Sequence, residues 1–545
     1  MKRPLPRKPP DVRHDAPVTT TSTTSLTDGP SAEAYADVEA APLSRRGLLG
    51  VGAGLLGAGA FGSLGVVGAT SAEAAAVDPA LHLLRRATYG ATPQLLASLR
   101  KGGAPARAAW LEKQLTPGKV ADRSMDILMR RWPRLRLSAK GVMDTVGNDE
   151  WAVMMDLVQA HIARACWSNR QLFEVMVDFW SNHLNVTCPS SEVWTTRHLY
   201  DQHVIRAHAF GKFSDMLLAS ARHPAMLAYL DQSSSDKDFP NENYAREVLE
   251  LHTVGVNGGY TEAMVKSAAR LLTGLSVDKD SQTYLYDTTK HATGPVRVLG
   301  FTHPNKASYG EPAAMTYLTY LAHHPATAKH VATKLAIRFV SDAPSPALVR
   351  RLANVYLQND TQIKPVLRAL FTSQEFLRAS GAKVKRPFED MVATVRALGI
   401  RPPATGIDGI EQLYWLSGDL GQAPMGWHPP NGYPDVAIAW QSAGGTLARW
   451  NTHLSLAAGW WPKDLRRPDL ESLLGTTVPK TYGALVDQAA AGLGLAQPTR
   501  NVRGAISTFL GHSAAAPLKL GDEAFGWRLP YVFALLLDSP AAALR

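Results

Sequence analysis

The chain has 545 residues, with 57 Lys and Arg against 47 Asp and Glu, a net charge of +10 and a pI near 9.4. The positive excess is spread along the chain without a Lys/Arg block interleaved with aromatics, so the charge pattern of a nucleic-acid binder is missing and no such partner is expected. With 2 cysteines in all, neither a disulfide framework nor a Cys-based zinc spacing is available.

Residues 1–43 are rich in Pro, Thr, Ser and Ala and poor in large apolar groups, a composition that predicts disorder. Next comes Ser44-Arg45-Arg46-Gly47-Leu48-Leu49, then a Gly/Ala/Leu/Val run to about Thr70, then Ala74-Ala75-Ala76. A basic pair, a modest apolar core and an Ala-x-Ala site form the order of an export signal. This one resembles a twin-arginine signal with Leu48 where Phe is more usual. The run is long enough to span a bilayer, but its glycines make it poorly hydrophobic, so cleavage is expected over anchoring. The expected division is therefore 1–76 as leader and 77–545 as an exported domain, secreted, periplasmic or on the cell surface. No later stretch has the apolar length of a membrane span.

Helical periodicity dominates the chain beyond the leader. It predicts helices over 78–89, 93–101, 106–115, 122–131, 149–167, 170–185, 194–208, 213–230, 241–254, 261–274, 311–323, 326–341, 346–357, 362–371, 386–398, 408–416, 444–460, 482–494, 500–511 and 527–538. Strand signals are confined to 283–286 and 296–299, which are expected to pair as one small hairpin. The fold class is all-α, a large multi-helix array with that hairpin near 283–299 and a candidate seam at 383–387. Cys166 and Cys188 flank a turn and the helix 170–185, which holds the thiols on the order of 20 Å apart and keeps both reduced. The Gly/Pro-dense loop 418–435 carries Trp427, His428 and Tyr433, residues suited to stacking on a sugar, plugging a cleft or packing on the core.

The helix 241–254 carries the densest polar pattern. At about 100° per residue, Asn243, Arg246, Glu247 and Glu250 share one arc, while Ala245, Val248, Leu249 and His252 lie opposite. Two carboxylates, a guanidinium and an amide on adjoining turns can bind a divalent metal, clamp a polar ligand or share a proton, and a solvated helix face looks the same. If buried, Glu247 and Glu250 raise one another's pKa, which suits acid–base work. His183 and His252 fall on the apolar sides of their helices and are expected to face inward, as core residues or as ligands. His252 and Glu247 cannot share one ion on a regular helix, and no His-Glu-x-x-His occurs. Asp231, Ser233, Ser235 and Glu242 mimic the first, third, fifth and twelfth places of a calcium loop, with Asp236 where glycine is needed. His330, Lys334 and Arg338 form an i, i+4 cationic stripe, suited to phosphate or carboxylate or simply to solvent. There is no Gly-x-Ser-x-Gly elbow, P-loop or dinucleotide fingerprint.

Several segments together resemble one family. They are His82-Leu83-Leu84-Arg85-Arg86-Ala87-Thr88-Tyr89-Gly90, Asp178-Phe179-Trp180-Ser181-Asn182-His183, the block 241–255, Gly259-Tyr260-Thr261 with Ala269 to Gly274, His324 to Val340, and the loop 421–435. Their order is similar to the bacterial domain of unknown function 1800 family, from about residue 80 to the C-terminus. The resemblance implies an exported helical protein, often encoded beside a second exported protein. It singles out His183, Asn243, Arg246, Glu247, Glu250, His252 and Arg270 as motif positions. Gly426-Trp427-His428-Pro429-Pro430 ahead of Gly432-Tyr433-Pro434-Asp435 is a variant ordering of the family's loop.

Two functions fit. In the first the chain is a hydrolase or transferase on an envelope or extracellular polymer. Glu247, Glu250, His252 and His183 would then be catalytic or metal-binding, Asn243, Arg246 and Arg270 would hold an anionic group, and Trp427 would cover the opening. In the second it is a non-catalytic envelope scaffold that binds a glycan or the co-encoded protein.

Overall fold

Prolines and short polar caps punctuate the chain, and the helices begin where these residues place them. In the computed structural model, which describes residues 78–147 and 149–545, Asp78 caps Pro79–Ala87 by accepting from the Ala80 and Leu81 amides at 2.9 and 3.1 Å. Thr261, Ser345 and Thr481 cap Glu262–Leu272, Pro346–Gln358 and Tyr482–Gly492 in the same way. The leader, the arginine pair and the Ala-x-Ala site lie outside the described residues. From Asp78 onward the described chain belongs to one compact unit, Ala76–Arg545. The expected all-α class holds: helices dominate, with two small two-stranded antiparallel sheets. Among the described residues no helix is long and apolar enough to cross a membrane.

The expected single hairpin is corrected to two. Thr283–Tyr286 pairs back onto Leu275–Asp278, with Tyr286 opposite Leu275, and Val296–Val298 pairs with Phe301–His303. Each turn is fixed locally. Ser281 donates its amide and hydroxyl to Asp278 Oδ1 at 2.8 and 2.6 Å, and Leu299-Gly300 takes φ of 51° and 91°, the two-residue turn that suits a tight hairpin. The expected helix 213–230 divides into Phe213–Ala221 and Pro224–Tyr229, because Pro224 has no N–H and His223 caps the second helix instead.

The motif helix is also irregular. Glu242–Glu247 is α-helical, but Val248–His252 winds as a π-turn, with the Thr253 hydroxyl on the Val248 carbonyl at 2.6 Å and the Gly255 amide on Leu249 at 3.1 Å. Beyond Glu247 the 100° spacing therefore no longer applies. Asp201–Arg206 contains a second π-turn.

Trp151–Trp167, Gln171–His183, Pro325–Phe339 and Pro387–Ala397 run through the core, and every residue of Pro387–Ala397 is buried. The segment 383–387 is tied to the C-terminus, with the Lys385 amide on Ala543 and the Arg545 amide on Lys383, both at 2.9 Å. Cys166 and Cys188 are buried free thiols, pushed up to about 12 by burial.

Candidate functional site

A cavity of about 410 Å³ lies between Gln171–His183, Pro325–Phe339, the start of Pro387–Ala397 and the Gly/Pro loop. Phe179, Ile337, Trp427, Pro434 and Val436 give it apolar walls, and Asp178, Asn182, Lys334, Arg338, Arg386 and Asp435 bring polar groups to it. The loop is a fixed roof. Asn182 accepts the Tyr433 amide at 2.6 Å and donates to the Tyr433 carbonyl at 2.8 Å, so one side chain pairs with the backbone as a strand would. Just before Tyr433 the chain passes so close that a Cβ on Gly432, at φ +69°, would lie 2.1 Å from the Asn182 carbonyl oxygen. Asn185 and Thr187 hold the Trp427 carbonyl at 2.8 and 2.7 Å, and Trp427 packs on Tyr433 with ring centroids 4.9 Å apart.

Beneath the cavity lies a buried charge network. Arg386 donates to Asp178 at 2.6 Å and lies 3.3 Å from Glu389, which also receives Arg338 and Arg545. Asp435 meets Arg338 and Arg545 at 3.5 Å each and Lys383 at 3.3 Å, and Lys383 reaches Asp342 at 2.5 Å. Burial alone would raise the Glu389 and Asp435 carboxyls. The surrounding guanidiniums outweigh it, holding Glu389 well below the usual carboxylate range and Asp435 down to about 2. Within this network four carboxylates (Asp178, Asp342, Glu389, Asp435) face four cations (Arg338, Lys383, Arg386, Arg545). Lys334, one turn before Arg338, has no carboxylate within the 4.0 Å salt-bridge distance among the described residues. Its surroundings are basic: His183, His252 and His330 lie near it, and burial pushes it down to about 8, with Asp435 opposing. The same burial, with Lys334 adding to it, drives His183 well below its ordinary value, His252 down to about 3 and His330 down to about 4.

The residues expected from sequence are distributed around this cavity rather than gathered in it. Trp427 lines it. His183 and His252 face inward, each 1% exposed, and are joined by a 3.0 Å bond from the His183 ring to the His252 carbonyl. Glu247 and Glu250 are half-buried and do not line it; Glu250 accepts the Tyr260 hydroxyl at 2.8 Å. Arg246 grips Glu262 with two bonds of 2.7 and 2.6 Å, Asn243 is exposed, and Arg270 lies beside Gly294. In the calcium-like loop, Ser235 accepts the Asn241 amide at 2.9 Å, and the Lys290 ammonium donates to the Ser233 carbonyl at 3.0 Å. Asp231 is exposed, and Glu242 lies 4.0 Å from Lys266. The Ser235 hydroxyl and the Ser233 carbonyl thus already serve the protein's own donors. Among the described residues no group of three or more His, Cys, Asp or Glu converges as metal ligands do.

Asp178, Lys334, Arg386 and Asp435 are the polar groups that the motif helix does not reveal. The stripe His330, Lys334, Arg338 and the loop 418–435 point to two of the cavity's walls, and the stripe turns out to face inward instead of toward solvent. No curated protein and no solved structure matches the chain. A family model described as "Protein of unknown function (DUF1800)" matches residues 82–544, so the chain belongs to that family.

Proposed function

We propose that this is an exported protein of the cell envelope that binds an anionic, ring-bearing unit of an envelope or extracellular polymer in the cavity under the 421–436 loop. Lys334 carries the reading: it is a cation in the cavity wall with no carboxylate at salt-bridge distance among the described residues, beside carboxylates already held by Arg338, Lys383, Arg386 and Arg545. An anion would give Lys334 a counter-charge, and Trp427 and Phe179 offer apolar faces to the rest of the ligand. The leader's basic pair and Ala-x-Ala site support export by the twin-arginine route. A hydrolase or transferase acting on the same polymer is the second reading, favoured by Asp178 and Asp435 standing in one cavity with an amine that burial pushes down to about 8. A second exported protein encoded beside this one, as the family resemblance implies, would serve as a partner in either case.

Calorimetric titration with an acidic oligosaccharide, such as oligogalacturonate, against a neutral oligosaccharide of equal length tests the binding. The acidic ligand binds, and Lys334→Met weakens it about tenfold or more, the worth of one charge-assisted hydrogen bond. Equal affinity for both sugars, or none for either, defeats the reading. Replacing Arg45 and Arg46 by Lys should trap the chain inside the cell.

A further inference from the structure

We propose that the Lys334 amine condenses with the carbonyl group of a carbonyl acid, an aldehyde or ketone that also carries a carboxylate, held in the cavity. The inference rests on the anion-binding cavity proposed above and deepens it by naming a covalent chemistry and a ligand class.

A lysine becomes a nucleophile when its ammonium is desolvated, free of carboxylates and close to other cations. Lys334 is desolvated, has no carboxylate within 4.0 Å among the described residues, and shares its cavity wall with Arg338 and Arg386. It lies on Pro325–Phe339 in the wall of a cavity of about 410 Å³, large enough for a small acid or one sugar ring. Asp435 approaches from the loop, but it is already shared among Arg338, Lys383 and Arg545. Asp178, on Gln171–His183, is held by Arg386 at 2.6 Å. On the other side stand His183, His252 and His330, which burial keeps uncharged, so they give the ammonium no counter-charge. Arg338 and Arg386 line the same space; each is engaged by carboxylates but keeps an Nε–H without a hydrogen-bond partner among the described residues, and these donors would draw the ligand's carboxylate and bring its carbonyl within reach of the amine.

The step balances without a further reactant. The ammonium releases a proton, and the nitrogen lone pair attacks the carbonyl carbon as the C=O electrons move to oxygen. That oxygen is protonated and leaves as water while C=N forms. Ammonium and carbonyl thus give protonated imine and water. A depressed pKa raises the neutral fraction by more than it lowers intrinsic nucleophilicity. From an ordinary value of 10.5 to about 8, the gain at neutral pH is roughly tenfold over a solvated lysine.

The test treats the exported chain with glyoxylate and cyanoborohydride across pH 6 to 9, then reads intact mass and a peptide map. Propionaldehyde, which lacks the carboxylate, serves as control. Expected is one glyoxylate adduct on Lys334, forming roughly tenfold faster than on other lysines and rising with pH through about 8, while propionaldehyde spreads over surface lysines. Lys334→Arg should abolish the adduct while keeping a positive charge. A glyoxylate pattern no different from the propionaldehyde pattern overturns the proposal, and that comparison needs only the wild-type protein. Galacturonic acid in place of glyoxylate tells a polymer's reducing end from a free small acid. Labelling of Lys334 without oligogalacturonate binding would remove the polymer reading and leave this one standing; binding without labelling would do the reverse.

Discussion

Replacing Gly432 with alanine tests whether the roof over the cavity is as fixed as its contacts imply. The residue stands at φ +69°, where a Cβ costs about 1 kcal/mol, and that Cβ would lie 2.1 Å from the Asn182 carbonyl and 2.8 Å from its Oδ1. The Asn182 oxygen belongs to the last turn of Gln171–His183 and cannot move away without unwinding that turn, so the loop must lift. Lifting breaks the paired bonds between Asn182 and Tyr433, worth about 1 kcal/mol each. The local cost comes to about 3 kcal/mol, or roughly a hundredfold in the closed-to-open ratio. Hydrogen exchange at the Tyr433 amide reads this directly, because that proton is held by Asn182. Its protection should fall by about two orders of magnitude while amides in Trp151–Trp167 keep theirs, and acidic-oligosaccharide binding should weaken in parallel. Unchanged exchange at Tyr433 would mean that the roof is held from elsewhere.

Two further outcomes concern the buried charges. Glu389→Gln leaves Arg338, Arg386 and Arg545 around an uncharged side chain and should cost about 3–5 kcal/mol, read as a lower denaturant midpoint at pH 7; a loss below about 1 kcal/mol would show that the cluster relaxes freely. Acid should destabilise the protein in two stages. His183, His252 and His330 have folded values below 6.5, so the unfolded chain binds their protons first; their contribution is complete above about 6.5 and is lost as pH falls, toward about 4 for His330 and about 3 for His252. Asp435 is depressed from 3.8 to about 2, so its contribution persists to about 3.8 and is lost only below it. Urea melts at successive pH values on wild type and His252→Gln separate the stages, and the variant should flatten the upper one; identical slopes would remove the histidines from the account.

Much of the fold can be read from local chemistry, because most helices begin at a proline or a capping side chain that needs no knowledge of distant neighbours. The misreadings have local causes as well. Strand signals at 283–286 and 296–299 are visible, but their pairing depends on turns at Asp278–Gln282 and Leu299-Gly300, where backbone of positive φ closes each strand on a nearer neighbour. The motif helix reads as regular because apolar spacing carries no trace of the Thr253 hydroxyl that competes for the Val248 carbonyl. That competition changes which residues share a face with Glu247.

The site is harder to read for a different reason. Glu247, Glu250 and Arg246 stand close together in sequence, so they register as a pattern even where each is held by, or placed for, its own neighbours. Asp178, Lys334, Arg386 and Asp435 come from four distant segments, and their convergence leaves no periodicity to find. One trace does survive in the sequence. Pro325–Phe339 carries Lys329, His330, Lys334 and Arg338 without a single Asp or Glu. A basic helix bathed in water gains from acids at i±3 and i±4, so a stripe without them must be solvated alone or matched from elsewhere. The clustered Lys383, Lys385, Arg386, Glu389 and Asp390, just ahead of and within the wholly buried helix Pro387–Ala397, favours matching, because charges in such a place persist only when paired. Arg338 has that pairing and Lys334 does not, and it is the unmatched amine, not the more conspicuous glutamates, that faces the cavity.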